Sequence, residues 1–324
     1  MDLKKFDQFL ELLDTEDRVI IQAHDFPDHD AIASAYAMAY LLSQKGFKPF
    51  LSYQGFIDRV SLHNLIGWLD IPIVKSHQLD LKPSDKIIVI DGCIGEENVT
   101  DLPGLEVAVI DHHDVKVPSY VWYSDVRTEC SSTATIMVDY FNYYKMPIPK
   151  KIATALLVGL TFDTGSFTQS IGEADIKALF QLQRRADMVT VNGICRNQIE
   201  YQELEYFDSM LASMKRDKNS AFATLPEGCP ENMLGVLGDF LLTVDEIDVV
   251  VLSARSYQRT YVSLRSECQD NDVAEVVRSA LNDSGIGFGG GHPHMAGGVI
   301  NRRFSIPDEL AYLYNLIRPN LNLA

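Results

Sequence analysis

Short β-branched runs alternate with longer stretches of helical periodicity through the first half of the chain. Val19–Ala23 reads as a strand, and Asp30–Lys45, rich in Ala, Leu and Met, as a helix. Further strands are expected at Lys48–Tyr53, Lys86–Ile90 and Glu106–Ile110, with a helix near Asp58–Leu69. Alternation of this kind predicts an α/β fold built on a parallel sheet with helices on both faces. Helical patterns then dominate from Ser131 to about Met214, broken by turn signals at Pro147–Pro149 and Thr164–Gly165. The polar helical stretch Asp187–Lys218 carries no strand pattern and reads as a connector. Beyond it, strands at Ser220–Leu225, Asp248–Ser256 and Thr260–Arg265, with helices near Glu231–Leu242 and Asp272–Leu281, predict a smaller α/β domain. A glycine-dense segment, Gly285–Gly298, follows, and a last helix is expected near Pro307. The organisation is therefore a parallel-sheet domain over 1–186, a helical connector over 187–217 and a second domain over 218–324. A length of 324 residues agrees with two domains of roughly 150 residues each.

Composition narrows the class. Hydrophobic residues make up 46% and charged residues 23%, enough for two packed cores and unlike a disordered chain. Lys and Arg number 28 against 45 Asp and Glu, a net charge of −17 that argues against a stable duplex DNA partner. Cys93, Cys130, Cys195, Cys229 and Cys268 are widely spaced, with no C-x-x-C pair. Neither a disulfide framework nor a thiolate zinc site fits them, and reduced thiols in a cytoplasmic protein are expected. The N-terminal stretch Met1–Glu16 is charged and amphipathic, unlike a signal peptide, and apolar runs such as Ile87–Ile90 are too short to span a bilayer. The expectation is a soluble protein without a membrane partner.

Three predicted strands end abruptly in polar residues, at His24, Asp91 and Asp111. In open α/β sheets, ligands bind beyond the carboxyl ends of strands. His24, Asp28 and Asp30 form H-x-x-x-D-x-D, a mixture of carboxylate and imidazole that suits Mn²⁺ or a similar divalent ion. Asp30 equally suits a helix cap, and His24 a satisfied strand-end histidine. Asp91 closes Ile87–Ile90, where two ions could share its oxygens, but Asp91-Gly92 is also a turn dipeptide. Asp111-His112-His113 closes Val107–Ile110; consecutive histidines point in different directions, so one can ligate a metal while the other faces substrate. Asp163 ends the apolar helix Ala153–Phe162, an electrostatically unfavourable place that a nearby cation would explain. Four such endings in one layer point to a metal site more strongly than any one of them.

At these residues the sequence resembles the DHH phosphoesterase superfamily, named for the triplet seen here as Asp111-His112-His113. H-x-x-x-D-x-D, strand-terminal Asp91, the triplet and Asp163-Thr164-Gly165 occur in family order. Gly289-Gly290-Gly291-His292 with Ala296-Gly297 resembles the glycine-rich motif of the DHH-associated C-terminal domain, and Ser263–Ser266 its arginine-bearing strand. The resemblance implies two divalent ions, most simply Mn²⁺. His24, Asp28 and Asp91 would hold one; Asp30, Asp91, His112 and Asp163 would hold the other. His113, with Asp111, would serve catalysis at the scissile phosphate, and Arg265, the glycines 289–291, His292 and His294 would contact substrate. The nanoRNase and oligoribonuclease branch is the nearest match. It implies hydrolysis of very short RNA or linear dinucleotides in a cleft between the domains, and is compatible with a homodimer. Alternatives within the superfamily are a 3′-phosphoadenosine 5′-phosphate phosphatase or an exopolyphosphatase. An alternative of another class is a catalytically silent nucleotide-binding regulator.

Two departures stand out. His29 lies between the two aspartates where small residues are common, and reads as an outward side chain or a substrate contact. Met295 and His294 alter the C-terminal motif. Gly285–Gly290 literally satisfies G-x-G-x-x-G, but it follows a helical stretch and opens no helix, so the dinucleotide-cofactor reading fails. Its glycines would instead admit close approach of backbone N–H groups to an anionic or planar ligand. Ser131, Ser132 and Thr133 would cap the following helix or bond phosphate.

Overall fold

The apolar runs at residues 19–21, 87–90 and 107–110 are wholly buried, as interior strands of a parallel sheet must be. The computed structural model describes residues 3–322 except 58, 97, 169–170, 257–258, 269 and 302–308. The chain divides into two units, Met1–Gln198 and Ile199–Ala324.

The first unit opens with helix α1 (Lys4–Leu12), followed by strand β1 (Arg18–Ala23), α2 (His29–Gln44), β2 (Lys48–Tyr53), α3 (Val60–Leu69) and β3 (Ile73–Lys75). Strands β4 (Lys86–Ile90), β5 (Leu105–Asp111) and β6 (Tyr123–Val126) come next, and then helices α4 (Thr133–Tyr143), α5 (Lys150–Asp163), α6 (Glu173–Gln183) and α7 (Met188–Arg196). All six strands are parallel, in the order β3-β2-β1-β4-β5-β6. The helix expected near Asp58 begins at Val60; Asp58 itself lies outside the described residues.

The α/β class and the parallel sheet are as expected, but helical cover of both faces is not what this unit shows. Among the described residues, all seven helices contribute to the core on one face, with Val19, Ile21, Ile88 and Val107. Ile20, Ile87, Val89 and Val109 face the other way, onto Cys93, Ile94, Val99 and Leu102 from a non-helical connection. Topology accounts for this. The chain moves from β1 outward to β3 through α2 and α3, then crosses back and proceeds from β4 to β6 in the opposite sense. Right-handed crossovers in the reverse direction lie on the reverse face, and among the described residues those connections carry no α-helix.

The second unit comprises α8 (Leu204–Ser213), β7 (Lys215–Asp217), β8 (Ser220–Leu225), α9 (Glu231–Leu242), β9 (Val249–Ser256) and β10 (Arg259–Ser266). After these come α10 (Val273–Val277), a π-helical turn at Arg278–Asp283, β11 (Gly287–His292), β12 (Met295–Asn301) and α11 (Glu309–Ile317). Its sheet runs β11-β12-β10-β9-β8-β7 and is antiparallel except at β8–β9. Here helices do lie on both faces: α8 and α9 pack on Ala223 and Leu252, and α10 and α11 on Phe222 and Val251.

Three expectations change in this unit. The stretch read as strand-free to Lys218 contains β7, whose charged K-R-D sequence hides an edge strand. The last helix begins at Glu309, and Pro307 lies outside the described residues. The glycine-dense segment is a β-hairpin, β11–β12. A Cβ at Gly289 would lie 2.3 Å from Val277 and 2.6 Å from the Gly297 carbonyl, so glycine there lets the hairpin pack flush against α10.

Candidate metal centre

The β1–β4 seam is where the strand order reverses, the place at which open α/β sheets form ligand sites. His24 follows β1, and its Nδ1 lies 2.8 Å from the Asp25 carbonyl. That bond makes Nδ1 the protonated nitrogen and leaves Nε2 as the free donor atom. Asp28 is the N-cap of α2: its Oδ1 accepts from the backbone N–H groups of Asp30 at 2.9 Å and Ala31 at 3.0 Å. Its second oxygen lies 4.0 Å from His24 Nε2. The cap of α2 is thus Asp28, and Asp30 is not needed for that task.

Asp30 is completely buried in the first turn of α2. Its carboxylate sits on the N-terminus of α4, accepting from the N–H of Thr133 at 2.6 Å and of Ala134 at 2.9 Å. Unpaired N–H groups at a helix start favour such an anion. Helix α5 packs closely on this part of α2 because residue 159 is glycine; a Cβ there would lie 2.9 Å from Asp30 Oδ1.

Asp91 adopts φ +58°, a left-handed conformation uncommon for a residue with a side chain. The turn reading of Asp91-Gly92 is therefore correct for the backbone, and the strained turn aims the carboxylate into the seam. Asp91 Oδ1 accepts from Thr133 Oγ1 at 2.8 Å and lies 3.6 Å from His112 Nε2, while Oδ2 lies 3.9 Å from His24 Nε2. His112 faces the Cys130 carbonyl through Nδ1 at 3.3 Å, and its Nε2 lies 3.2 Å from Asp163 Oδ2 at the end of α5. Neither carboxylate is aligned for a hydrogen bond, so this buried Nε2 has no hydrogen-bond partner.

Three overlapping sets of donor atoms result, each within 4.8 Å: His24, Asp28 and Asp91; Asp30, His112 and Asp163; and Asp91, His112 and His113. The proposed ligands from all four chain segments are thus brought together. His113 also comes within reach of the cluster. Its Nδ1 lies 2.8 Å from Oδ1 of fully buried Asp111, and its ring is half-exposed. Asp111 thus meets the cluster only through the His113 ring, which it orients.

The charge balance fits a cation. Burial pushes the Asp30 carboxyl well above the usual range, and the neighbouring Asp91 and Asp163 push it further. Burial and Asp28 also raise Asp91, and burial with Asp28 and Asp91 raises Asp163 well above its ordinary value. Burial opposes charge on His24 and His112, but the surrounding aspartates outweigh it and raise both. Crowded carboxylates that resist ionising together, beside an orphaned imidazole nitrogen, are what a divalent ion resolves. Oxygen and imidazole donors without thiolate suit a hard or borderline ion.

His29 overturns the outward reading. It is fully buried, stacked parallel on Phe162 with ring centroids 3.5 Å apart, and its Nε2 lies 3.0 Å from Ser61 Oγ. Burial drives its pKa down to about 3, so it is a neutral packing group. Of the three residues before α4, Ser132 caps the helix, Ser131 bonds Asp175, and Thr133 holds Asp91 and Asp30. Nothing in S-S-T distinguishes these roles, and Thr133 is the one of the three that bonds two of the clustered carboxylates.

The remaining site candidates lie in the second unit. Arg265 on β10 is nine-tenths buried, with Nε on Asp239 at 2.9 Å and Nη1 on Ser263 Oγ and the Leu264 carbonyl, both at 3.0 Å. Arg265, Met295 and His292 share one register row across β10, β12 and β11. Gly289, Gly290 and Gly291 lead along β11 to the exposed His292, and His294 Nδ1 lies 3.1 Å from the Ser266 carbonyl.

A parallel α/β sheet with carboxylates and imidazoles converging at its switch point defines an α/β protein with a candidate divalent-metal centre. Family models agree: one described as the DHH family, N-terminal domain, matches residues 18–160, and one described as the DHHA1 domain matches 217–318. The chain belongs to the DHH phosphoesterase superfamily, its DHH domain followed by a DHHA1 domain. It is 28% identical over 283 residues to the uncharacterized protein MJ1633 of Methanocaldococcus jannaschii, covering 87% of this chain and 58% of that protein. It is 26% identical over 308 residues to the cyclic-di-AMP phosphodiesterase GdpP of Bacillus subtilis, covering 87% and 45%. The chain thus spans about half the length of these curated relatives. An exopolyphosphatase-related protein from Bacteroides fragilis has the same fold, with a TM-score of 0.75 at 19% identity over 97% of this chain and 94% of that one. Among the described residues, no helix is long and apolar enough to cross a membrane.

Proposed function

We propose that this protein is a Mn²⁺-dependent phosphodiesterase that hydrolyses very short RNA or linear dinucleotides such as pGpG and pApA to mononucleotides. The observation carrying this reading is the pair of donor sets meeting at Asp91, with His24 and Asp28 on one side and Asp30, His112 and Asp163 on the other. Two ions held there would activate water and clamp the attacking and leaving oxygens of an in-line displacement. The residues themselves supply orientation. Asp91 is fixed by its turn and by Thr133, and Asp30 by the start of α4, so neither carboxylate must reorganise when substrate arrives. His113, tethered to Asp111 through Nδ1, keeps Nε2 to donate a proton to the leaving ribose oxygen as the phosphorus–oxygen bond breaks. Arg265, Gly289–Gly291, His292 and His294 are proposed to serve recognition in the DHHA1 domain. The similarity to a phosphodiesterase acting on a cyclic dinucleotide supports a nucleotide phosphodiester over a simple anhydride.

The test is a Mn²⁺ assay comparing pGpG, pApA, a five-nucleotide RNA, 3′-phosphoadenosine 5′-phosphate and polyphosphate. Mononucleotide release from the dinucleotides, abolished by Asp91→Asn, is the expected result. Preferential release from 3′-phosphoadenosine 5′-phosphate or polyphosphate would replace this substrate with one of those, and binding without turnover would leave a nucleotide-binding regulator.

A further inference from the structure

Resting on the dinucleotide reading, we infer that the DHH domain carries its own nucleobase platform: the Phe26–Phe56 pair stacks one base of the substrate, and Arg59 meets an adjoining phosphate. Phe26 lies between His24 and Asp28, two residues from each, so its Cα is within about 7 Å of theirs along even an extended chain. Its side chain is 56% exposed and that of Phe56 is 53% exposed. The two rings meet edge to face, with centroids 4.7 Å apart and planes at 81°, which leaves flat apolar surface facing solvent beside the metal centre.

The presentation is fixed by the chain around it. Phe26 holds φ +54°, a costly conformation for a residue with a large side chain. Its N–H donates to the Gln54 carbonyl at 3.2 Å, and the preceding residue is pinned where Asp25 accepts from Thr100 Oγ1 at 2.5 Å. Beneath the ring lies Gly55, where a Cβ would come within 2.8 Å of the aromatic carbons. A side chain placed at such backbone cost, seated over a glycine and still largely in water, is shaped for something other than the protein core. Arg59, exposed at the start of α3, follows Phe56 by three residues, so its Cα is within about 11 Å of that of Phe56 along even an extended chain, and its charge is felt at Asp28 and His29. In a chain of net charge −17, an exposed cation beside the carboxylates offers an anionic substrate a favourable approach. Aromatic faces accept any base, so the platform would supply affinity for nucleotides in general and little preference among them.

The experiment measures binding of phosphorothioate-linked pApA, and of counterparts lacking one or the other base, by calorimetry. In Phe56→Leu, the preference for the complete dinucleotide over the better-binding abasic analogue should fall about ten-fold, in line with the loss of one stacked base. Phe56→Trp should preserve it, and Arg59→Gln should weaken the binding of all three ligands together. An unchanged preference in Phe56→Leu, with unfolding temperature as in the wild type, overturns the platform. This outcome is separable from the function itself, because hydrolysis of ordinary pApA by the wild-type protein decides that question independently.

Discussion

Replacing Gly159 by alanine isolates the contact between α2 and α5 that assembles the centre. The added Cβ would lie 2.9 Å from Asp30 Oδ1, 3.0 Å from Asp30 Cα and 3.2 Å from the His29 carbonyl, where ordinary contact begins at 3.4 Å. Two of these three atoms are backbone and cannot swing aside. Either α5 shifts by roughly half an ångström or the Asp30 carboxylate rotates off the N–H groups of Thr133 and Ala134. Overpacking of this kind costs about 1–3 kcal/mol. Alanine returns about 1 kcal/mol through its higher helix propensity. The net expectation is a protein up to about 2 kcal/mol less stable, with an unfolding temperature lower by up to about 6 °C. Because Asp30 and Asp163 sit on the two helices being separated, Mn²⁺ affinity should also fall, by about ten-fold. Gly67→Ala in α3 is the control: nothing lies within 4 Å of its Cβ, so it should stabilise by about 0.5–1 kcal/mol and leave metal binding alone. Calorimetric unfolding and Mn²⁺ titration of both variants read these effects. A Gly159→Ala protein that matches Gly67→Ala in stability and binds Mn²⁺ like the wild type would refute the argument.

Ion binding should be proton-linked. Asp30, Asp91 and Asp163 hold protons more tightly than ordinary carboxyls and must release them to ligate, so Mn²⁺ affinity should fall as pH is lowered. Titrations in buffers of different ionisation enthalpy would count the released protons, and none released would contradict the assignment. His29 should contribute to acid sensitivity. Its imidazole titrates near 3 when folded and near 6.5 when unfolded, so its stability contribution is complete above pH 6.5 and is lost as pH falls towards 3. The stability difference between pH 7 and pH 4.5, from urea unfolding, should therefore shrink by about 2 kcal/mol in His29→Gln; an equal difference in both proteins would show that His29 is not the group involved. Asp111→Asn should lower kcat about 100-fold or more while leaving Mn²⁺ affinity near that of the wild type, because Asp111 positions His113. Unchanged kcat would remove this pair from the chemistry.

Much of the first domain was legible because interior parallel strands announce themselves. Lys48–Tyr53 and Lys86–Ile90 appear in the structure with the same bounds, and Asp163 does close an apolar helix. Edge elements were less visible: β3 has three residues, β6 has four, and β7 is wholly charged in sequence. The β11–β12 hairpin was hidden by glycine, whose low strand propensity is overridden by the need to pack flush on α10. Within the centre, the ligand types were readable from strand endings, but the supports were not. Thr133 reaches Asp91 across 42 residues and Asp30 across 103, a relation no local spacing encodes. The outward or substrate-facing reading of His29 fails because the predicted helix starts at Asp30 and leaves this residue outside it. The helix begins one residue earlier than its apolar pattern does, and that residue turns inward onto Phe162.

The sheet order carries a consequence for how this domain opens. β1, β2 and β3 follow one another along the chain, as do β4, β5 and β6, and the two halves touch in the sheet through the β1–β4 pairing. His24 and Asp28 belong to one half, Asp91 and His112 to the other. The clustered carboxylates therefore press apart the one ladder that joins two separately connected triplets of strands. Amides of β1 and β4 should exchange with solvent deuterium faster in metal-free protein than those of β1 and β2. Ion binding should slow the first set selectively, making the centre a clasp on the sheet as well as a place for chemistry.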